Sequence, residues 1–181
     1  MDILERKQRD ISPLANKPNR KESNVIKRIM RHEGTGKAIT LFDKYKAQLG
    51  DYCYWYLLST LWVSHCEGSD LQLWKRLFAS SRHNRKLSVM KPSEVQELDA
   101  LEEKVTIYRA KRPNERDAIA YTLNINFAIA LARHRQMDEI HEYTVDKSNI
   151  LALFLRRNEQ EVIILNSDSV NPVKTIRYSE K

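Results

Sequence analysis

The chain has 181 residues and a formal net charge of +7, and 41% of its residues are hydrophobic. This length suits one domain or a compact domain with an extension, and the hydrophobic content excludes wholesale disorder. The scarcity of glycine argues against a turn-rich all-β fold, and Cys53 and Cys66 form no CxxC pair, which argues against a disulfide framework or a zinc cage. The positive charge favours an anionic partner, although an ordinary soluble surface explains it equally well.

Residues 1–36 form a polar segment in which Lys and Arg outnumber Asp and Glu by nine to five. Pro13 and Pro18 interrupt this segment, and apolar residues recur at helical spacing only over residues 24–32. The pattern predicts a basic, partly flexible N-terminal arm that contains one short helix. A contact with nucleic acid and a solvated leader are both compatible with this composition.

The beginning of the sequence is charged and lacks the apolar core of a secretion signal. The most apolar stretch, residues 52–63, is too short to span a bilayer. We therefore expect a cytoplasmic protein that does not contact a membrane. The sequence carries no indication of its oligomeric state.

Residues 37–100 have the periodicity of a helical subdomain. The first helix is predicted to end at Gly50, a second to begin at Asp51, a third near Asp70 and a fourth at Pro92. The second helix is rich in aromatic residues at helical spacing. Such a stripe favours a buried core over a platform on which nucleic-acid bases stack.

Residues 71–91 carry six basic side chains and no acidic one. This local charge could line the entrance to a site for an anionic ligand, or it could bind nucleic acid. A solvated helix face followed by a basic loop explains the same pattern. The basic residues are Lys75, Arg76, Arg82, Arg85, Lys86 and Lys91.

After residue 100 the spacing of apolar residues changes from that of helices to that of strands. Strands are predicted at residues 105–108, 119–123, 141–145, 161–165 and 173–178. Helices are predicted at 125–134 and 149–156. This alternation predicts an α+β core over residues 101–181, with a mixed sheet that is split or arranged in two layers and packs on the N-terminal helical subdomain.

Polar side chains at the edges of these strands suit the cleavage of NAD. Arg109 ends one strand, and a guanidinium binds phosphates through a planar set of donors. Thr122 ends another, and its hydroxyl can orient a ribose or a carboxylate. Glu159 and Glu161 are two residues apart in a segment predicted to be extended, so we expect both to face the same way. A carboxylate there can stabilise the positive charge that develops on the ribose as nicotinamide departs.

Each of these residues also has a structural interpretation that the sequence leaves open. Arg109 could be an ordinary charge at the end of a strand. Thr122 could cap a helix, although Asn124 is equally suited to that role. Arg156 or Arg157 could form an ion pair with one of the glutamates.

The chain from about residue 105 to residue 165 resembles the ADP-ribosyltransferase superfamily, in the branch with an arginine, a serine/threonine strand and a glutamate pair. Val-Thr-Ile-Tyr-Arg at 105–109 is similar to the first motif of that branch. Ile-Ala-Tyr-Thr-Leu-Asn at 119–124 is similar to the second, with alanine where the family usually has serine. Arg-Asn-Glu-Gln-Glu-Val-Ile at 157–163 is similar to the third.

The resemblance implies a role for each of these residues. Glu161 would be the catalytic carboxylate, Glu159 would activate or orient the acceptor, and Thr122 would support the ribose site. The residues assigned by the resemblance to NAD binding are Arg109, Tyr108, Tyr121, Thr122 and Phe127. We expect Arg109, Thr122 and Glu161 to converge on one cleft.

The implied activity is that of an NAD-dependent mono-ADP-ribosyltransferase, a glycosyltransferase that uses NAD as substrate and needs no metal. The acceptor would be a macromolecule, and the glutamate pair favours an arginine of a protein. By analogy with members of the superfamily, a cytoplasmic effector such as one encoded by a bacteriophage would modify a host protein. Two alternatives remain: a catalytically weak module that binds nucleic acid or an acidic protein, and an NAD glycohydrolase.

Overall fold

The structure is a computed structural model that describes residues 10–64 and 70–178. The start of the predicted arm and the cysteine at position 66 lie outside these described residues. Six helices precede an antiparallel sheet of six strands, and a seventh helix lies between its second and third strands. The coarse prediction of an α+β fold is therefore confirmed. Among the described residues, every helix is too short or too polar to cross a membrane.

The helical layer agrees with the predicted pattern, with three differences. The helix predicted to end at Gly50 ends at Tyr45, and a 3-10 turn follows it. The helix predicted at residues 24–32 begins earlier, at Arg20, because Asn19 and Glu22 form a capping box at its start. A five-residue helix replaces part of the predicted basic loop, and Asn84 precedes it in the left-handed conformation. The helices are α1 (Arg20–Met30), α2 (Gly36–Tyr45), α3 (Asp51–Ser64), α4 (Leu71–Phe78), α5 (Arg85–Val89) and α6 (Pro92–Ala100), and a 3-10 turn (Lys46–Gln48) follows α2.

The described part of the N-terminal segment packs against this layer. The Asp10 carboxylate accepts hydrogen bonds from the backbone N and the hydroxyl of Ser93, at 3.0 and 2.7 Å, in the first turn of α6. Helix α1 buries Val25 and Ile29 in the main hydrophobic core. The helical layer therefore begins before the predicted boundary at residue 37.

The strands form one sheet in the order β4-β5-β2-β1-β3-β6. All five neighbouring pairs are antiparallel, so the predictions of a mixed sheet and of a split or two-layer sheet were wrong. The strands are β1 (Lys104–Arg109), β2 (Ala120–Thr122), β3 (Glu139–Asp146), β4 (Ala152–Phe154), β5 (Glu161–Ile163) and β6 (Asn171–Arg177), and α7 (Ile125–His134) follows β2.

The predicted helix at 149–156 was also wrong. A 3-10 turn (Lys147–Asn149) and strand β4 occupy that part of the chain. All three residues of β4 are buried, so the strand shows no alternation of apolar and polar residues. A short, uniformly apolar run does not distinguish a buried strand from a buried helix.

The main hydrophobic core joins the helical layer to the sheet. Phe42 and Trp55 from the helices share this core with Ile107 and Val162 from the strands, and all four are fully buried. The aromatic residues of α3 are thus mostly core, as predicted, although Tyr56 is half exposed. A smaller cluster forms where α7 packs on the sheet.

Candidate functional site

Three of the predicted site residues form a row across the centre of the sheet. Tyr108 on β1 is paired with Thr122 on β2, and Thr122 is paired with Glu161 on β5. Directly paired residues of antiparallel strands project from the same face. We call the face that carries this row the Glu161 face.

The Glu161 carboxylate is held by a side chain from the helical layer. The indole Nε1 of Trp62, on α3, donates a hydrogen bond to Oε2 of Glu161 at 2.7 Å. The Trp62 ring packs edge-on against Trp74, with ring centroids 5.0 Å apart and an angle of 85° between the rings. The sheet and the helical layer therefore meet at this carboxylate.

Burial raises the pKa of Glu161 from 4.5 to about 7. The hydrogen bond from Trp62 opposes this rise in pKa, and the negative charge of Glu159 adds to it. The positive charges of Arg157 and Arg109 lower the pKa by smaller amounts. A carboxyl group that gains and loses its proton near neutral pH, beside named charges, is typical of functional sites.

Thr122 connects β2 to the loop that precedes β5. Its side chain is 5% exposed. Its hydroxyl donates to the backbone O of Glu159 at 2.5 Å and accepts from the backbone N of Asn124 at 2.9 Å. The cap of α7 is Asn124, whose Oδ1 accepts from the backbone N of Asn126 and of Phe127. Thr122 therefore fixes the position of the loop that carries the two glutamates.

That loop has a strained backbone. Arg157, Asn158 and Gln160 have φ of 65°, 62° and 46°, in the left-handed region that side chains other than glycine rarely adopt. Each such residue costs on the order of 1 kcal/mol, and strain of this kind concentrates at functional sites. The prediction that Glu159 and Glu161 alternate along one extended segment was wrong, since Glu159 is helical, with φ −85° and ψ −20°.

The Glu159 carboxylate is paired with a guanidinium. Arg157 Nη2 lies 2.8 Å from Oε2 of Glu159, and the Arg157 side chain is partly exposed. The ion-pair interpretation therefore applies to Glu159. Because the charge of Glu159 also raises the pKa of Glu161, the two carboxylates lie within electrostatic reach of each other.

Arg156 anchors the same loop to the helical layer. Its Nε and Nη2 donate to the carboxylate of Glu94 on α6, each at 3.1 Å, and its Nη1 donates to the hydroxyl of Ser59 on α3 at 3.2 Å. Glu94 is 1% exposed. Sequence reasoning missed Glu94 and Trp62, because both act through partners more than 60 positions away.

Arg109 lies on the other face of the sheet. It is paired with His141 and follows Tyr108 in β1, so it projects away from the Glu161 face. Its guanidinium donates to both carboxylate oxygens of Glu115 and to the backbone O of Ala120. Thr122 and Glu161 are therefore direct strand partners, whereas Arg109 lies on the opposite side of the sheet.

A small cavity of about 150 Å³ adjoins Arg109 on this second face. Tyr121 and Tyr143 line it, with their rings edge-on and 5.6 Å apart. The Arg109 guanidinium carbon lies 5.7 Å from the centre of the Tyr121 ring. Arg109 is only 17% exposed, so it is not the ordinary surface charge that the sequence allowed.

Of the remaining predicted NAD-binding residues, Tyr108 and Thr122 project from the Glu161 face. Tyr108 is partly buried against the cluster that α7 forms with the sheet. Phe127 is half-buried in the first turn of α7. The five candidates thus divide, with Tyr108 and Thr122 on one face, Arg109 and Tyr121 on the other, and Phe127 on α7.

Most of the basic side chains of residues 71–91 have acidic partners. Four of the six form ion pairs, which compensate much of the local positive charge. This finding weakens the interpretation of the segment as a nucleic-acid surface. The pairs are Lys75–Asp117 at 2.7 Å, Arg76–Asp43 at 3.0 Å, Arg82–Asp51 at 3.0 Å and Lys86–Asp99 at 2.5 Å.

Other kinds of site find little support in the described part of the chain. Residues 10–64 and 70–178 contain no group of three or more His, Cys, Asp or Glu side chains able to hold a metal ion. Cys53 is buried, and burial raises its thiol pKa to about 11, so the thiol stays protonated at neutral pH and is a poor nucleophile.

Comparisons with protein-family models, with curated proteins and with solved structures gave no match to this chain. The side chains and their geometry are therefore the basis for assigning a function.

Proposed function

We propose that the chain is an NAD-dependent mono-ADP-ribosyltransferase that transfers ADP-ribose from NAD to an arginine of a protein and releases nicotinamide. The observation that carries this proposal is the partly buried Glu161 carboxyl group. It stands at the start of a central strand, directly paired with Thr122 and held by Trp62.

Glu161 supplies the charge that the reaction needs. When the bond between nicotinamide and ribose breaks, positive charge develops on the ribose. A carboxylate fixed in a partly dry environment stabilises that charge more strongly than water does. Because the pKa of Glu161 is about 7, the ionised and active form grows as the pH rises through neutrality.

Glu159 is suited to orient an arginine acceptor. Its carboxylate already binds the guanidinium of Arg157, and the exposed part of that arginine leaves room for exchange. An acceptor arginine presents the same planar group and can take the place of Arg157. Its nitrogen would then be held next to the carboxylate that stabilises the ribose.

Arg109 contributes to this reaction only after a rearrangement. Its guanidinium is occupied by Glu115 and lies on the face opposite Glu161. Arg109 is the last residue of β1, so its guanidinium reaches the Glu161 face only if Glu115 and the backbone O of Ala120 release it and the end of the strand rearranges. An NAD molecule at Glu161 would then present its phosphates to this cation.

The test is to incubate the protein with labelled NAD and an arginine-rich peptide, and to measure nicotinamide release and peptide labelling separately. Glu161→Gln should reduce both activities by roughly a hundredfold or more, because it removes the charge at the reacting centre. Glu159→Gln should suppress labelling of the peptide while some hydrolysis of NAD remains, since water needs less orientation than a side chain.

Glu142→Gln is the matched control. Glu142 is paired with Tyr108 on the Glu161 face and forms an ion pair with Lys174, so the variant removes one carboxylate from the same face at a distance from Glu161. It should retain both activities. Failure of the wild-type protein to consume NAD would refute the proposal, and equal loss of both activities in the two glutamate variants would refute the separate role of Glu159.

Hydrolysis of NAD without an acceptor is the second candidate. The pairing of Glu159 with Arg157 favours it, because the acceptor position is occupied in the free protein and leaves water as the nucleophile. Release of nicotinamide with no labelled peptide, at saturating peptide, would select this alternative.

A further inference from the structure

The indole of Trp62 reaches Glu161 across 99 positions of sequence. We propose that Trp62 is a positioning residue for Glu161, and that the helical layer thereby forms part of the active site. The inference rests on the proposed function for its catalytic consequence. The contact itself does not depend on that function and can be tested without NAD.

The orientation of the Trp62 ring is set by its packing within the helical layer. Its ring meets Trp74 edge-on at 5.0 Å and Phe78 edge-on at 5.6 Å, and both partners are buried residues of α4. Edge-to-face contacts fix the plane of an aromatic ring. The direction of the N–H bond is therefore set by α3 and α4, and Glu161 has one orientation in which to accept it.

The chemistry of the donor matters as much as its position. An indole N–H donates and cannot accept, so it always favours an oxygen with lone pairs and stabilises the charged carboxylate. It carries no charge of its own. It can therefore hold Glu161 without cancelling the negative charge that the reaction uses.

The charged groups around Glu161 affect its pKa less than the Trp62 hydrogen bond does, and one of them acts in the opposite direction. Among the described residues, Glu159 opposes ionisation, and Arg157 and Arg109 support it less than Trp62 does. Loss of the Trp62 hydrogen bond would leave Glu161 more protonated at neutral pH. It would also free the carboxyl group to rotate away from the row on the sheet.

Trp62→Phe is the informative variant because it keeps an aromatic ring beside Trp74 and Phe78 and removes the N–H donor together with one of the two fused rings. The acidic limb of the pH profile for NAD cleavage should move up by about one pH unit. Trp55→Phe is the matched control, since it makes the same substitution in α3 and removes a donor to the backbone O of His83 instead of the donor to Glu161. The control should leave the pH profile in place.

The NMR signals of the tryptophan indole N–H groups provide a measurement that does not require activity. The protein has three tryptophans, and the signal of Trp62 should titrate with a midpoint near pH 7 in the wild type and lose that titration in Glu161→Gln. A Trp62 signal that does not titrate, or that titrates equally in the variant, would overturn the inference even if Trp62→Phe failed to fold.

The outcomes separate the two proposals. A Trp62 signal that follows Glu161, in a wild-type protein that leaves NAD intact, would uphold the contact and refute the proposed function. Active protein in which Trp62→Phe and Trp55→Phe shift the pH profile equally would refute the positioning role and leave the function standing.

Discussion

Replacement of Glu161 by glutamine should make the protein more stable at alkaline pH while it abolishes activity. Burial raises the pKa of Glu161 from 4.5 to about 7, so the folded state binds more protons than the unfolded state between those values. Stability from this group therefore falls as the pH rises through that window. A pKa shift of this size lowers the free energy of unfolding by about 3 kcal/mol once the pH exceeds 7, relative to its value below pH 4.5.

Glutamine keeps the shape of the side chain and can still accept the hydrogen bond from Trp62, but it is never charged. The difference in unfolding free energy between Glu161→Gln and the wild type should therefore grow by about 2–3 kcal/mol from pH 4.5 to pH 8. Groups common to both proteins cancel in this difference.

Urea denaturation of both proteins at pH 5, 6, 7 and 8 measures this difference directly. Glu142→Gln, which removes one carboxylate from the same face, controls for the loss of a negative charge. A difference that stays constant with pH, or that shrinks as the pH rises, would show that Glu161 is not a buried carboxyl group with a raised pKa.

Three further outcomes follow from the contacts. Glu94→Gln should lower the free energy of unfolding, measured by urea denaturation, by roughly 3–5 kcal/mol, because it leaves the partly buried Arg156 guanidinium without its counter-charge. A loss below about 1 kcal/mol would contradict this. Asn124→Ala should cost about 1 kcal/mol through the lost cap of α7, and unchanged thermal stability would exclude that role. Glu115→Gln should tighten NAD binding several-fold in titration calorimetry, because the Arg109 guanidinium becomes available to a phosphate. Unchanged or weaker binding would mean that Arg109 is purely structural.

Local patterns predicted the elements whose apolar spacing was long and regular. The helix predicted at 125–134 is found at Ile125–His134, and the strand predicted at 105–108 lies within Lys104–Arg109. These elements expose one side and bury the other, so periodicity identifies them. The uniformly buried β4 lacks that contrast and was predicted incorrectly.

The loop before β5 could not be predicted for a different reason. Its left-handed residues are arginine, asparagine and glutamine, of which only asparagine is a common turn residue. Contacts with distant parts of the chain stabilise this conformation. Arg156 in the loop binds Glu94, and Thr122 binds the backbone O of Glu159. Such constraints exist only after distant segments meet.

The placement of the candidate site residues was predicted only in part. The resemblance selected Thr122 and Glu161, and the structure pairs them directly. It also selected Arg109, but the side on which a strand residue projects depends on register, and neighbouring positions face opposite ways. Trp62 could not be identified, because an aromatic residue in an apolar helix is usually core.

The hydrogen bond between Trp62 and Glu161 also bears on the order in which the chain folds. Its partners are 99 positions apart, and those of the Arg156–Glu94 pair are 62 apart. Closing loops of this length is entropically costly, so such contacts form late compared with the hairpins and helices around them. The Glu161 carboxylate therefore gains its hydrogen bond from Trp62 only when the helical layer docks on the sheet. An opening that separates the two layers would dismantle the site before the sheet itself unfolds.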